Sequence, residues 1–368
     1  MDSVRGLLTI AVGVFVYLER DSLPSLDELP SLTNLETNYT LYSVILVTAF
    51  LFGLAEVLRD NSAQTLMPAV VEDKNLERAN GRMWSAESLT NSFIGPPLGS
   101  FIIAIAIFLP FFVDAATFFI AAALIASMKP TVKSFIPEKK TEPINFRAEI
   151  KEGFSWLWSH TLLRPMAIIL GLLNGIAALT AAVFILFAQE VLNTTVFIFA
   201  VLGTAAAVGG ILGGLLGPKV SEKIGSGRSL ALALFAMPLC TLLIGITSMW
   251  QVVWLLVAVS TFTGVLWNVV TVSLRQSLIP TNLLGRVNSV YRFFAWGTIP
   301  IGTLLGGGLV AAFEGPFGRE MAFRSVYFVG AALGFLLFLY AIRVLTTEAI
   351  DKARAEGAEG AEGAGSTT

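Results

Sequence analysis

Apolar residues along the chain gather in long blocks divided by short polar segments. A helix crossing ~30 Å of hydrocarbon needs roughly 20 predominantly apolar residues. Ten blocks reach or approach that length: Val4–Leu18, Leu41–Val57, Met83–Phe108, Phe111–Met128, Met166–Ala188, Val196–Leu216, Ser229–Ser248, Val252–Leu274, Val287–Phe313 and Val326–Val344. The pattern predicts an all-α integral membrane fold of about ten spans. The first span is short, so Asp2 and Ser3 are expected at the membrane edge. Composition agrees, with 55% hydrophobic and 14% charged residues and a mean hydropathy of +0.75. Soluble domains carry roughly 25% charged residues.

The formal net charge of -2 is less informative than where the charges fall. If the loops alternate sides, one set holds Arg59, Lys74, Arg78, Arg82, the cluster from Lys129 to Lys151, then Lys219, Lys223, Arg228, Arg275, Arg286, Lys352 and Arg354. The other set holds only Arg20, Arg319 and Arg324. The positive-inside rule makes the first set cytoplasmic and puts both ends of this chain inside. The Asp21–Tyr39 loop is then external.

An internal repeat sets the organisation. Gln64-Thr65-Leu66-Met67-Pro68 returns as Gln276-Ser277-Leu278-Ile279-Pro280, and Arg78-Ala79-Asn80 returns as Arg286-Val287-Asn288. The third span therefore pairs with the ninth, giving a repeat unit of six helices. The second unit is complete and the first has four, with two helices expected ahead of Met1. The expected divisions are an incomplete N-terminal half at 1–128, a cytoplasmic linker at 129–162, a complete six-helix half at 163–346 and a disordered cytoplasmic tail at 347–368. Within the linker, Phe146, Ile150, Phe154 and Trp158 recur at helical spacing between charged residues, the pattern of an amphipathic helix lying on the membrane surface.

Two motifs add chemistry. Pro218-Lys219-Val220-Ser221-Glu222-Lys223-Ile224-Gly225-Ser226-Gly227-Arg228 combines an acid, bases and a turn glycine, and an acid so placed can latch helix ends while Gly225 allows a tight turn. Gly95-Pro96-Pro97-Leu98-Gly99-Ser100 combines paired prolines, which bend a helix, with glycines that admit a close neighbour. The first motif resembles the cytoplasmic signature of the major facilitator superfamily, with Pro218, Ser226 and Gly227 departing from it. The second is similar to the antiporter element of the same superfamily, with Asn91 and Ser100 departing. Ala55-Glu56-Val57 through Asp60 to Pro68, Val113–Phe118 and Leu284–Ser289 resemble the branch that includes the enterobactin exporter and macrolide-efflux permeases.

Ionisable groups in or beside spans cost ~2.5–3.5 kcal/mol at a helix centre on translocon scales and are the functional candidates. Glu56 lies one turn from Arg59 and Asp60, and Glu87 lies just inside Arg82; paired interfacial roles and gating or proton roles are both open to them. Arg292, with Trp296 nearby, is the deepest base of the ninth span. Asn174, Trp267 and Asn268 are polar or amphipathic positions on spans five and eight, open to cavity or packing roles. Asp114 serves as a cap at its helix start. One histidine, His160, and one cysteine, Cys240, exclude multi-histidine and cysteine-based metal sites. No cofactor, nucleic-acid or enzyme motif is present in the sequence. The resemblance implies a monomeric secondary transporter of the bacterial plasma membrane, exporting a small amphipathic molecule of drug or siderophore class in exchange for protons. A truncated, transport-incompetent family member or a misassigned start, and a lipid translocator of the same fold, are the alternatives.

Overall fold

A computed structural model describes residues 2–19, 39–128, 146–280 and 282–355. The expected external loop at 21–38, linker residues 129–145 and tail residues 356–368 lie outside the described residues.

The regular structure described is helical throughout. In chain order it comprises α1 (Asp2–Leu18), α2 (Tyr39–Val70), α3 (Leu76–Leu89), α4 (Gly95–Ile105), α5 (Leu109–Ser127), α6 (Phe146–Ser159), α7 (Leu163–Glu190), α8 (Val196–Ile224), α9 (Ser226–Ile246), α10 (Trp250–Leu278), α11 (Leu284–Gly297), α12 (Ile299–Phe317) and α13 (Arg319–Val344). A last helix, α14, covers 347–355. Seven helical segments among the described residues are long and apolar enough to cross a membrane, the pair α11–α12 counting as one. The other three expected spans take different forms. The first is the 17-residue α1. The second lies inside the 32-residue α2, which runs past Val57 to Val70. The third is broken by a π turn, Thr90–Ile94, just before Pro96 and Pro97. Proline has no N–H to continue the ladder, so the break falls where the sequence removes two consecutive donors. Gly99, expected to admit a neighbouring helix, has nothing within 4 Å of where a Cβ would stand.

The chain forms two compact units, Met1–Leu66 with Ile94–Thr131, and Met67–Phe93 with Val132–Thr368. In the first, α1 and α5 run antiparallel: Gly6 faces Phe119 and Ala115, and Gly13 faces Phe111. The second contains α3, which the sequence assigned to the 1–128 half. There α3 packs on α8 and α10, and α7 packs on α12 and α13. Small residues drive these crossings, because without a hydrophobic force between helices in lipid, close backbone approach supplies the attraction. A Cβ at Gly302 on α12 would collide with the Gly175 carbonyl of α7, and one at Gly209 on α8 with the Ala258 carbonyl of α10. Trp267 and Tyr291 anchor the larger core cluster, which also takes in Leu163, Met166 and Leu274.

One expectation holds with added detail and one changes. Helix α6 forms as expected, and its Ile150–Phe154–Trp158 stripe is exposed, while Leu157 is buried and Gly153 sits 2.9 Å from the Arg286 carbonyl carbon, measured from its would-be Cβ. Its acids are paired: Glu149 with Arg286 at 2.9 Å, and Glu152 with the same guanidinium. Residues 347–355, expected to be disordered, are helical. Thr346 Oγ1 accepts a hydrogen bond from the Ala349 N–H at 3.1 Å, capping the helix, and Ile350 is fully buried in the larger core cluster. Buried Ile350 and Ala353 and one cap outweigh the polar composition around them.

Candidate functional site

The basic turn after α8 is built by Gly225, whose φ of 86° is a conformation that L side chains rarely adopt. Glu222, Lys223 and Arg228 are exposed around it. Glu222 and Gly225 line a polar cavity of about 720 Å³ together with Glu77, Arg78, Asp351 and Arg354. The ion pair seen here joins Glu77 of α3 to Arg354 of α14 at 3.4 Å, and the Ser226 hydroxyl bridges both, 3.4 Å from Glu77 and 3.2 Å from Arg354. Ser226 and Gly227, two of the three departures from the family pattern, thereby acquire roles. A Cβ on Gly227 would sit 2.6 Å from the Thr347 backbone nitrogen, so a glycine there lets α14 begin against α9. At the rim, Lys74 lies 2.7 Å from Glu72 and holds that exposed carboxyl below its usual pKa, by hydrogen bonding first and charge second.

The two copies of the repeat converge on the last turns of α10. Asn80, fully buried, holds its two Nδ2 hydrogens among three acceptors, the Leu76 carbonyl at 3.0 Å, Ser273 Oγ at 3.0 Å and Gln276 Oε1 at 2.7 Å. Its repeat partner Asn288, equally buried, accepts from Arg275 Nη1 at 3.2 Å. Arg275, expected in a loop, is instead buried in α10 with its guanidinium 4.0 Å from the centre of the Tyr291 ring. The corresponding position of the first copy is Ala63, so the charge belongs to one copy only.

In the first unit the candidates regroup. Glu56, expected to pair with Arg59 and Asp60, pairs with Arg5. Arg5 also reaches Asp2 at 3.2 Å and lies over the rings of Phe118 at 4.2 Å and Phe52 at 4.9 Å. Arg59 meets Asp60 at 3.2 Å and approaches Asp2 at 3.8 Å. Phe118 stands nine residues from either end of α5, about 13 Å at 1.5 Å per residue. Arg5, buried, therefore sits level with the middle of an apolar helix long enough to span, and the buried Asp2 lies one turn further along α1. The Asp2-x-x-Arg5 spacing, one turn of helix, was the sequence signal for this pair. Asp114 is exposed in the second turn of α5, past the cap position assigned to it.

The remaining candidates divide. Asn174, Trp267 and Asn268 come together around a cavity of about 290 Å³ in the second unit. An adjoining lobe of about 320 Å³ shares Ala177, Thr180, Thr241, Ser260 and Thr261 with it. Asn174 also ties α7 to α11, donating to the Ala295 carbonyl at 2.8 Å. Arg292 lies 5.2 Å from the centre of the Trp296 ring, away from these lobes. Glu87 is exposed on α3. Pro96 and Pro97 open α4 in the first unit.

Comparison with known proteins accords with this arrangement. No curated protein sequence matches the chain. Among solved structures it is similar to a bacterial homologue of the iron transporter ferroportin in an outward-facing state, with a TM-score of 0.64 and 18% identity over 93% of this chain and 81% of that one. At that identity the likeness shows the fold. The family model of the Major Facilitator Superfamily matches residues 6–299, most of the chain. An all-helical multi-pass protein with glycine-mediated crossings and buried polar clusters, this chain belongs to the Major Facilitator Superfamily.

Proposed function

We propose that this membrane transporter exports a small amphipathic molecule of drug or siderophore class across the bacterial plasma membrane in exchange for protons, by alternating access. Both ends of the chain and the Lys219–Arg228 turn face the cytoplasm in this reading, and the chain acts as a monomer. The observation that carries the coupling is the Arg5–Glu56 pair at the level of the α5 midpoint. Charges at that depth are expensive, and they persist in membrane proteins chiefly where ions or substrates move. The linked groups are two bases, Arg5 and Arg59, and three acids, Asp2, Glu56 and Asp60. One proton therefore brings the cluster to neutrality. Protonating Glu56 frees Arg5 from one partner while Asp2 retains it, and a cluster with two arrangements of nearly equal charge is suited to bias two conformations.

Reconstituted vesicles test this with labelled chloramphenicol as cargo. An inside-acid gradient should raise uptake several-fold, and a protonophore should abolish the rise. Glu56→Gln should keep exchange of labelled for unlabelled cargo but lose the response to the gradient. Wild-type uptake indifferent to the gradient, or a Glu56→Gln protein that responds fully, would exclude this coupling site.

A further inference from the structure

We propose that the two-lobed cavity inside the second unit is a binding site for an uncharged molecule that carries both oxygen acceptors and a hydroxyl or amide donor. The lobes are continuous through their shared residues and together fall within the ~300–1,000 Å³ usual for ligand sites. No residue lining either lobe bears a charge at neutral pH. An ion entering an apolar bundle would pay its desolvation with nothing to answer it, so the walls select against cations and anions alike.

Polar groups are nonetheless present and partly unanswered. The indole N–H of Trp267, on one lobe, and the hydroxyl of Tyr327, on the other, are both buried and have no hydrogen-bond partner. Buried donors are nearly always satisfied, so two orphans on residues that line one cavity favour a ligand with acceptor oxygens. The threonines supply the opposite need. Thr180 donates its hydroxyl hydrogen to the Ala177 carbonyl at 3.0 Å and Thr241 donates to Met237 at 3.0 Å, which leaves their oxygens as acceptors. Glycine keeps the first lobe open: a Cβ at Gly264 would meet only the tip of Met237, at 3.3 Å.

This deepens the transport reading by naming a cargo class, yet its test is binding, which needs no flux. Equilibrium dialysis of the purified chain against labelled chloramphenicol, which is uncharged with amide and hydroxyl groups, should show saturable binding. Tetraphenylphosphonium and salicylate, a cation and an anion, should not displace it. Tyr327→Phe removes an unpartnered hydroxyl without disturbing a native contact, and should weaken binding roughly three- to tenfold. Gly264→Leu should fill the first lobe and abolish binding; should that variant fail to fold, Tyr327→Phe decides alone. Absence of saturable binding, binding indifferent to Tyr327→Phe, or displacement by either ion at comparable concentration would overturn the assignment, a cavity holding only water being the first of these outcomes. Binding without transport would leave the cavity standing and count against the exporter.

Discussion

Gly214→Val should unseat α3 from α8, lower the thermal midpoint of the detergent-solubilised protein sharply and abolish transport. Gly81 and Gly214 face one another so closely that a Cβ on either would collide with the carbonyl oxygen of the other. On Gly214 it would also stand 2.8 Å from the Ser85 backbone nitrogen and strike the Ser85 hydroxyl. That hydroxyl donates to the Ile211 carbonyl at 3.0 Å, so valine displaces a hydrogen bond as well as a helix. Overpacking costs about 1–3 kcal/mol where a core can adjust, and backbone on both sides leaves little room to adjust. Gly203 on the same helix is the matched control, since nothing lies within 4 Å of its would-be Cβ. Gly203→Val should leave the midpoint almost unchanged. Equal shifts at Gly214 and Gly203, read by thermal unfolding on a sizing column, would refute the crossing.

Aspartate at the two repeat asparagines should act in opposite directions. Both orientations are fixed by partners of one kind only. Asn80 turns its NH₂ to the Leu76 carbonyl, which can only accept, and Asn288 turns its oxygen to Arg275, which can only donate. Asn80→Asp places an acceptor against the Leu76 and Gln276 oxygens in a fully buried position, costing about 1–3 kcal/mol for the lost bonds and more for any charge it keeps. Asn288→Asp instead gives the buried Arg275 a carboxylate at hydrogen-bond distance, and charge-assisted bonds contribute roughly twice as much as neutral ones. The thermal midpoint should fall for the first and hold or rise for the second. Shifts of the same sign and size would remove the asymmetry argued for α10.

Much of this was legible in the sequence, unevenly. The helices followed from block length, and the repeat singled out Asn80 and Asn288, whose side chains both reach α10. Positive charge in loops sorts sides but says nothing of depth, and so Arg275 read as a loop base although the helix carries it inside. Asp2 was read as a membrane-edge residue and Arg5 drew no notice inside the first block; the position of Arg5 level with Phe118 depends on how α1 slides along α5, a register that composition does not encode. Helix α14 was hidden because an Ala-Glu-Gly tail dominates the local composition while only Ile350 and Ala353 bury apolar side chains. The hydroxyl-lined cavity was only half visible: Asn174, Trp267 and Asn268 stood out as polar points in apolar blocks, but Thr180, Thr241 and Tyr327 are common in such helices and gain meaning only when three of them meet.

Counterflow tests the central claim, that this chain carries small molecules by alternating access, without assuming any coupling ion. Vesicles holding the 368-residue protein and loaded with unlabelled chloramphenicol should take up labelled chloramphenicol faster than unloaded ones, with a transient overshoot absent from protein-free vesicles. Uptake identical in loaded, unloaded and protein-free vesicles, from a preparation that is folded and binds the compound, would contradict the account.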